Sequence, residues 1–270
     1  DAGISMNKKE EKFCSYCEHR GMITNPEAHK DGSNPLIVCP KCVEAACKCG
    51  GNEPYYYTDG KEIIECPCRS VRMRIDRVHY LYDEAGIDRK YRWHFINEFN
   101  CRTEKEHAAK KAAYDIIMNY PNVSKGLFLW GNPGTGKTFL STIILTELIA
   151  RKAVKGKFVK ISRTFFGRIR NTFSDKSEDF GMGYKIEQEL AECELLVIDD
   201  FGVQRDSAWE QETLYNLIDA RYEAERLTII TSNSNPEKGL KELSEGRILS
   251  RLKEMTNIIE LSGTDRREAL

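Results

Sequence analysis

A chain of 270 residues, 40% hydrophobic and 31% charged, is long enough for one large core or two modest ones and has the composition of a folded protein. Its formal net charge of -1 excludes a strongly basic nucleic-acid coat protein but leaves room for a local basic surface. No segment approaches the roughly 18 uninterrupted apolar residues of a membrane-crossing helix and no apolar signal core is present, so a cytoplasmic location without a membrane partner is expected.

Eight of the ten cysteines lie between Cys14 and Cys68, in a region rich in Gly and Pro and poor in long apolar runs. Such a region needs an external staple to fold. Cys14-Ser15-Tyr16-Cys17 and Cys39-Pro40-Lys41-Cys42, 21 residues apart, have the spacing of a tetrahedral structural zinc site. Cys47, Cys49, Cys66 and Cys68 form a second set in the tighter CxC form. Two Zn2+ ions are expected, one per set, with interleaving of ligands between the sets left open. His19 and His29 are alternative ligands for the first site. An iron–sulfur cluster could use the same thiolates, but nothing further along the chain calls for electron transfer. Disulfides would suit a secreted chain instead. Leu36–Val38 reads as a short strand leading into Cys39, and Tyr55–Tyr57 as either a docking surface or a strand covering the second zinc.

Residues 1–75 thus form an expected zinc-binding domain, followed by a linker over 76–102 and an ATPase domain over 103–270. A helical pattern runs from Ser70 to Tyr82, and an aromatic-rich connector from Tyr91 to Phe99. Thr103 to Asn119 is a predicted helix with Ala108, Ala112, Ile116 and Tyr120 inward, ended by Pro121. Predicted strands at 127–130, 158–161, 195–198, 227–231 and 257–261 alternate with helices at 137–150, 164–173, 184–192, 209–223 and 243–255. This alternation implies an α/β fold with a mostly parallel sheet covered on both faces.

Gly131-Asn132-Pro133-Gly134-Thr135-Gly136-Lys137-Thr138 matches the phosphate-loop pattern between a predicted strand and helix. Its glycines let backbone N–H groups turn toward phosphate oxygens, and the helix start adds positive potential. ATP and Mg2+ are the expected ligands, with Lys137 on the terminal phosphates and Thr138 on the metal. The apolar run Leu195–Ile198 ends in Asp199 and Asp200, which places Asp199 beside the magnesium and Asp200 where it can orient or deprotonate water. Asn233, at the tip of the fourth predicted strand, either reaches that water or caps the following turn.

The chain resembles the AAA+ ATPases that load bacterial replicative helicases, the DnaC/DnaI type, and the related IstB-type transposition ATPases. The resemblance spans Tyr82 to Arg267 and rests on Ala85-Gly86-Ile87, the phosphate loop, Leu195–Asp200, Trp209 with Leu214–Ile218 and Arg221-Tyr222, Ile230–Asn233, and Gly246-Arg247-Ile248 through Ser250-Arg251-Leu252. It implies a five-stranded sheet in the order 5-1-4-3-2, strands counted along the ATPase domain, with no separate C-terminal helical lid. It also implies that Arg251 completes a neighbouring subunit's site, with Arg247 one turn earlier, and that Arg267 is the cis-acting sensor arginine, the register allowing Arg266. The cysteine-rich region is similar in position to the part of DnaI-like proteins that grips the helicase.

Arg151 to Arg170 contains eight basic residues and no acid, whereas Glu187 to Glu225 holds twelve acids against Arg205 and Arg221. The first interval is the expected single-stranded DNA contact, through Lys160, Arg163, Arg168 and Arg170 on phosphates and Phe165 and Phe166 stacking on bases. The competing reading makes the phenylalanines core residues of an amphipathic helix. Opposite charge on two faces suits homo-oligomeric stacking in a helical or partial ring assembly. The expected function is ATP-dependent loading of a hexameric replicative DNA helicase, by a slow ATPase switch. The rivals are a transposition ATPase that assembles on duplex DNA and recruits a transposase, and a zinc-dependent DNA-binding adaptor with a vestigial ATPase. Chromosomal or phage origin, the oligomer size and the pairing of cysteines to each metal stay open at this point.

Overall fold

Short apolar runs in the C-terminal two thirds hydrogen-bond into one parallel sheet. The structure is a computed structural model that describes residues 14–18, 20–25, 35–171, 183–202, 207–240, 246–263 and 265–266. The chain divides into two units, Asp1–His79 and Tyr80–Leu270.

In the first unit, β1 (Met22–Thr24) pairs antiparallel with β2 (Leu36–Val38), and β3 (Tyr56–Thr58) pairs antiparallel with β4 (Ile63–Glu65). A π-helical turn, Pro40–Glu44, follows β2. α1 (Arg69–Glu84) begins directly after the last cysteine of the cluster, and the division between units falls within it. Among the described residues of this unit the buried hydrophobic side chains are four thiols, Cys17, Cys39, Cys66 and Cys68, with Met22, Leu36, Tyr55, Ile75 and Val78. So small an apolar core cannot hold a fold without a staple.

In the second unit, β5 (Gly126–Trp130), β6 (Gly156–Lys160), β7 (Leu195–Phe201), β8 (Leu227–Ser232) and β9 (Thr256–Glu260) lie in the order β6-β7-β8-β5-β9, all parallel. This is the expected order, 5-1-4-3-2. The central strands β5, β7 and β8 are buried almost throughout, as a parallel sheet covered on both faces requires. The helices are α2 (Glu104–Asn119), α3 (Lys137–Lys152), α4 (Phe166–Asn171), α5 (Gly183–Glu192), α6 (Ala208–Glu223), α7 (Pro236–Gly239) and α8 (Arg247–Met255). α3 packs against α2 on one side and β6, β7 and β8 on the other, so nearly all of it is buried.

The inward face of α2 differs from the sequence expectation by one position. Ala109, Ala113, Ile116 and Ile117 are buried, rather than Ala108, Ala112 and Tyr120. The physical reason is Glu106, 1% exposed and also inward, whose carboxylate accepts from the Thr103 N–H and pairs with Arg266 at 2.9 Å. A pattern built from apolar residues alone does not turn a glutamate toward the core.

Residues 82–99 pack onto α3. The Tyr82 and Trp93 rings stack at 3.6 Å, Tyr82 Oη lies 3.3 Å from Thr146 Oγ1, and the Ile96 N–H donates to Glu147 at 3.0 Å. Arg221, on α6, is fully buried and donates to the carbonyls of Leu190, Cys193 and Leu227 and to Thr228 Oγ1, tying α6 to the end of α5, to the turn before β7 and to β8.

Candidate functional site

The loop between β5 and α3 demands glycine. Gly131 has φ 148° and a Cβ there would come 2.2 Å from the Leu261 carbonyl oxygen, while at Gly134, φ 81°, it would lie 2.1 Å from the Asp265 carboxylate. Gly136, also at positive φ, starts α3. The Lys137 ammonium, 6% exposed, donates to the carbonyls of Gly131 at 2.8 Å and Asn132 at 2.7 Å, which places its charge at the mouth of the loop.

Next to the loop, β7 carries Asp199 into the site. Its Oδ1 accepts from Thr138 Oγ1 at 2.7 Å and from Thr231 Oγ1 at 2.6 Å, and the residue is 1% exposed. Burial pushes the Asp199 carboxyl above the usual carboxylate range, and the two hydroxyls pull against that shift. Asp200 has φ 57° at an irregularity in the β7–β8 register between Ile198 and Phe201, and its N–H donates to Thr231 Oγ1 at 3.1 Å. The bulge puts two successive residues at one strand tip, where a regular strand would alternate them between faces.

These groups open onto a cavity of about 780 Å³, within the range of small-molecule sites. Pro133, Gly134, Gly136, Lys137, Thr138, Asp199, Asp200 and Asn233 line it, so the sequence-predicted loop, acids and amide converge. Asn233 is exposed at the tip of β8, and the cap of α7 is Asn235, whose Oδ1 accepts from the Glu237 N–H at 2.9 Å. Four more residues line the cavity from the segment before α2: Lys90, Tyr91, His94 and Arg102. Sequence reasoning took that stretch for a connector; its aromatic density was the signal. Phe139 completes this side, its ring edge-on to His94 at 4.9 Å.

Arg266 also lines the cavity. Its N–H donates to the Gly134 carbonyl at 3.0 Å, and its guanidinium bonds to the Asn100 carbonyl at 2.8 Å and stacks on Phe99 at 4.5 Å. Arg267 lies outside the described residues. Arg251 does not line this cavity; it sits on α8 with its Nε on Asp219 and its Nη2 2.9 Å from Tyr215 Oη.

Thr138 and Asp199 suit a hard divalent cation such as Mg2+. Both offer oxygen, they already meet, and a cation there offsets the cost of burying the carboxylate. For zinc the fit is stronger. The thiols gather as two separate tetrads, Cys14, Cys17, Cys39, Cys42 and Cys47, Cys49, Cys66, Cys68, with the sulfurs of each within 4.8 Å of one another. Neighbouring sulfurs lie 3.4–3.9 Å apart. A tetrahedron with zinc–sulfur bonds of about 2.3 Å has edges of roughly 3.8 Å, whereas a disulfide would bring sulfurs to about 2.05 Å. The Gly21 and Lys48 N–H groups donate to Cys17 and Cys66 sulfurs at 3.3 and 3.2 Å, supporting thiolate charge from outside the tetrads. Tyr55 packs on Cys66 and Cys68, so the tyrosine run covers the second cluster at this point while Tyr56 is exposed. His19 and His29 lie outside the described residues.

The expected DNA face needs correction. Phe165 and Phe166 are 1% and 0% exposed, in the core beside Trp209 and Leu196, because the turn into α4 points them at the sheet; neither can stack on a base. Acids from elsewhere in the chain also meet part of the acid-free basic interval. Lys160 pairs with Asp88 and lines the cavity described above, Lys157 pairs with Glu84 and Glu189, Arg151 with Glu147, and Arg170 with Glu210 at 3.6 Å. Arg168 is exposed on α4, and the side chain of Arg163 lies outside what the structure describes.

Comparison with known proteins agrees with this geometry. The replicative helicase loader DnaC of Escherichia coli strain K12 is 27% identical over 184 residues, 67% of this chain and 71% of the relative. The solved DnaC helicase loader superposes with a TM-score of 0.54 at 22% identity, over 65% of this chain and 100% of that one. DnaI superposes with a TM-score of 0.57 at 21% identity, over 67% and 95%. The sequence model of the IstB-like ATP binding proteins matches residues 90–267. With a DnaC/DnaI-type AAA+ scaffold and a phosphate loop facing a paired-acid strand tip, the chain belongs to the IstB-like ATP-binding protein family.

Proposed function

We propose that the protein is an ATP-dependent loader of the replicative DNA helicase. The observation that carries this reading is the joining of a DnaC-like ATPase unit to a cysteine-rich unit with two thiol tetrads suited to zinc. The cysteine-rich region, 1–75, docks a hexameric helicase and holds two zinc ions; residues 76–102 lead into the ATPase. ATP binding organises subunits in a helical or partial ring around single-stranded DNA, and hydrolysis releases the loader.

Within the site, Lys137 would hold the β- and γ-phosphates against the loop N–H groups, and Thr138 with Asp199 would hold magnesium, which would supply positive charge to offset that of the phosphates. Asp200 and Asn233 orient the attacking water, and Asp200 takes its proton. Arg251 acts on the neighbouring subunit's nucleotide, so isolated subunits turn over slowly. Arg266, on the cavity wall, senses the nucleotide in cis. Single-stranded DNA is held through its phosphates by Arg163, Arg168 and Arg170, without ring stacking.

The family match to IstB-like proteins favours a second reading, an ATPase that assembles on duplex DNA and recruits a transposase. Presenting the purified chain with ATP to single-stranded and duplex DNA separates the two. A loader prefers the single strand; preference for duplex supports the second reading and removes the first.

A further inference from the structure

α6 and α8 meet through two matched rows of side chains. On α6, Tyr215, Asp219 and Tyr222 are spaced by four and three, so they share one face; on α8, Arg247, Arg251 and Glu254 do the same. The rows interlock around Arg251. Its Nε donates to Asp219 and its Nη2 to Tyr215 Oη at 2.9 Å, and its guanidinium lies over the rings of Tyr215 at 4.9 Å and Tyr222 at 5.6 Å. Arg247 covers Tyr215 at 4.8 Å, and the Tyr222 hydroxyl donates to Glu254 at 2.6 Å.

The Asp219 and Arg251 side chains are 25% and 24% exposed, so the network helps to brace α6 against α8, but it also has a second consequence. The contacts fix the direction of a side chain that otherwise samples many rotamers. They hold the guanidinium by Nε and one N–H of Nη2. Nη1 makes no hydrogen bond among the described residues, so the edge that forks onto a phosphate is directed away from Asp219.

Resting on the reading of Arg251 as a residue that acts across a subunit boundary, we propose that Asp219, aided by Tyr215, is a positioning residue for hydrolysis in the neighbouring subunit. Asp219 touches neither nucleotide nor water; it sets the guanidinium where the neighbour's terminal phosphate will be. Displacing a positioned group by about 1 Å can cost on the order of 100-fold in rate.

The test is ATP hydrolysis by the full-length protein, measured against protein concentration, for the parent, Arg251→Ala, Asp219→Ala, Asp219→Asn and Lys137→Ala. Asp219→Ala is expected to lower kcat roughly 10-fold or more with KM for ATP within about two-fold, since the subunit's own cavity is untouched. Asp219→Asn, which keeps an oxygen acceptor for Nε, should recover most of the loss. Mixing Asp219→Ala with Lys137→Ala subunits should restore activity, because each supplies what the other lacks across the boundary. An unchanged rate in Arg251→Ala removes the underlying reading. A large loss in Arg251→Ala with none in Asp219→Ala overturns the positioning role alone. So does a loss in both aspartate variants that mixing fails to rescue, or one that appears in KM.

Discussion

Thr231→Val removes one hydroxyl from beneath the acidic strand tip and keeps the shape of the side chain. That hydroxyl donates to Asp199 Oδ1 at 2.6 Å and accepts from the Asp200 N–H at 3.1 Å. A hydrogen bond to a charged group contributes about 1.5–3 kcal/mol and a neutral one about 0.5–1.5, so the variant should lose about 2–4 kcal/mol of stability at neutral pH. The loss should depend on pH. Asp199 has its folded-state pKa raised by burial, so its contribution to stability is greatest below the unfolded carboxylate value and is lost as pH rises toward the folded value. Removing a donor to the ionised form raises the folded value further. The penalty of Thr231→Val should therefore be larger at pH 7 than at pH values below about 4, where the carboxyl is protonated in both states. Urea unfolding followed by tryptophan fluorescence measures this directly, because Trp93, Trp130 and Trp209 all lie in the second unit. A loss below about 0.5 kcal/mol, or one equal at both pH values, refutes the account of Asp199 as a buried ion held by two hydroxyls.

Other variants test separate parts of the molecule. Arg221→Met leaves the carbonyls of Leu190, Cys193 and Leu227 without their donor and should destabilise the second unit by about 2–5 kcal/mol; parental stability would show that the buried cation is no asset. Gly134→Ala forces a methyl against Asp265 at positive φ, so nucleotide affinity should fall well before the melting temperature does, as titration with a fluorescent ATP analogue would reveal. Protein purified without chelator should carry about two zinc equivalents, and Cys66→Ser about one. Fewer than one equivalent in the parent removes the zinc assignment.

Much of the second unit was legible because its signals are local. Apolar runs of strand length, a glycine-punctuated loop and a paired-acid ending each depend on a few neighbouring residues, and all three lie where sequence reasoning put them. The errors arise where a polar signal is passed over or distant residues intervene. Glu106 turns inward through a local capping box with Thr103, a Thr-x-x-Glu signal that the apolar pattern passed over, and Arg266, 160 positions later, then pairs with it. Phe165 and Phe166 read as plausible stacking rings until the sheet beneath them is known. The acid-free run from Arg151 to Arg170 looks unopposed in sequence, yet Glu84, Asp88, Glu189 and Glu210 reach it from other elements, and Glu147 meets Arg151 one turn earlier on α3. Likewise, the aromatic density of Tyr91 to Phe99 is a local signal, but only the fold makes Lys90, Tyr91, His94 and Arg102 a wall of the cavity. The cysteine spacing spoke for two metal sites, but only the folded hairpins separate the thiols into two tetrads.

The most direct measurement of the central claim is co-elution of the full-length protein with a hexameric replicative DNA helicase on a sizing column, with and without ATP and single-stranded DNA. A loader forms a complex with the helicase that single-stranded DNA joins when ATP is present and that hydrolysis weakens. Failure to bind the helicase in any nucleotide state, or co-elution with a transposase on duplex DNA instead, would contradict the claim.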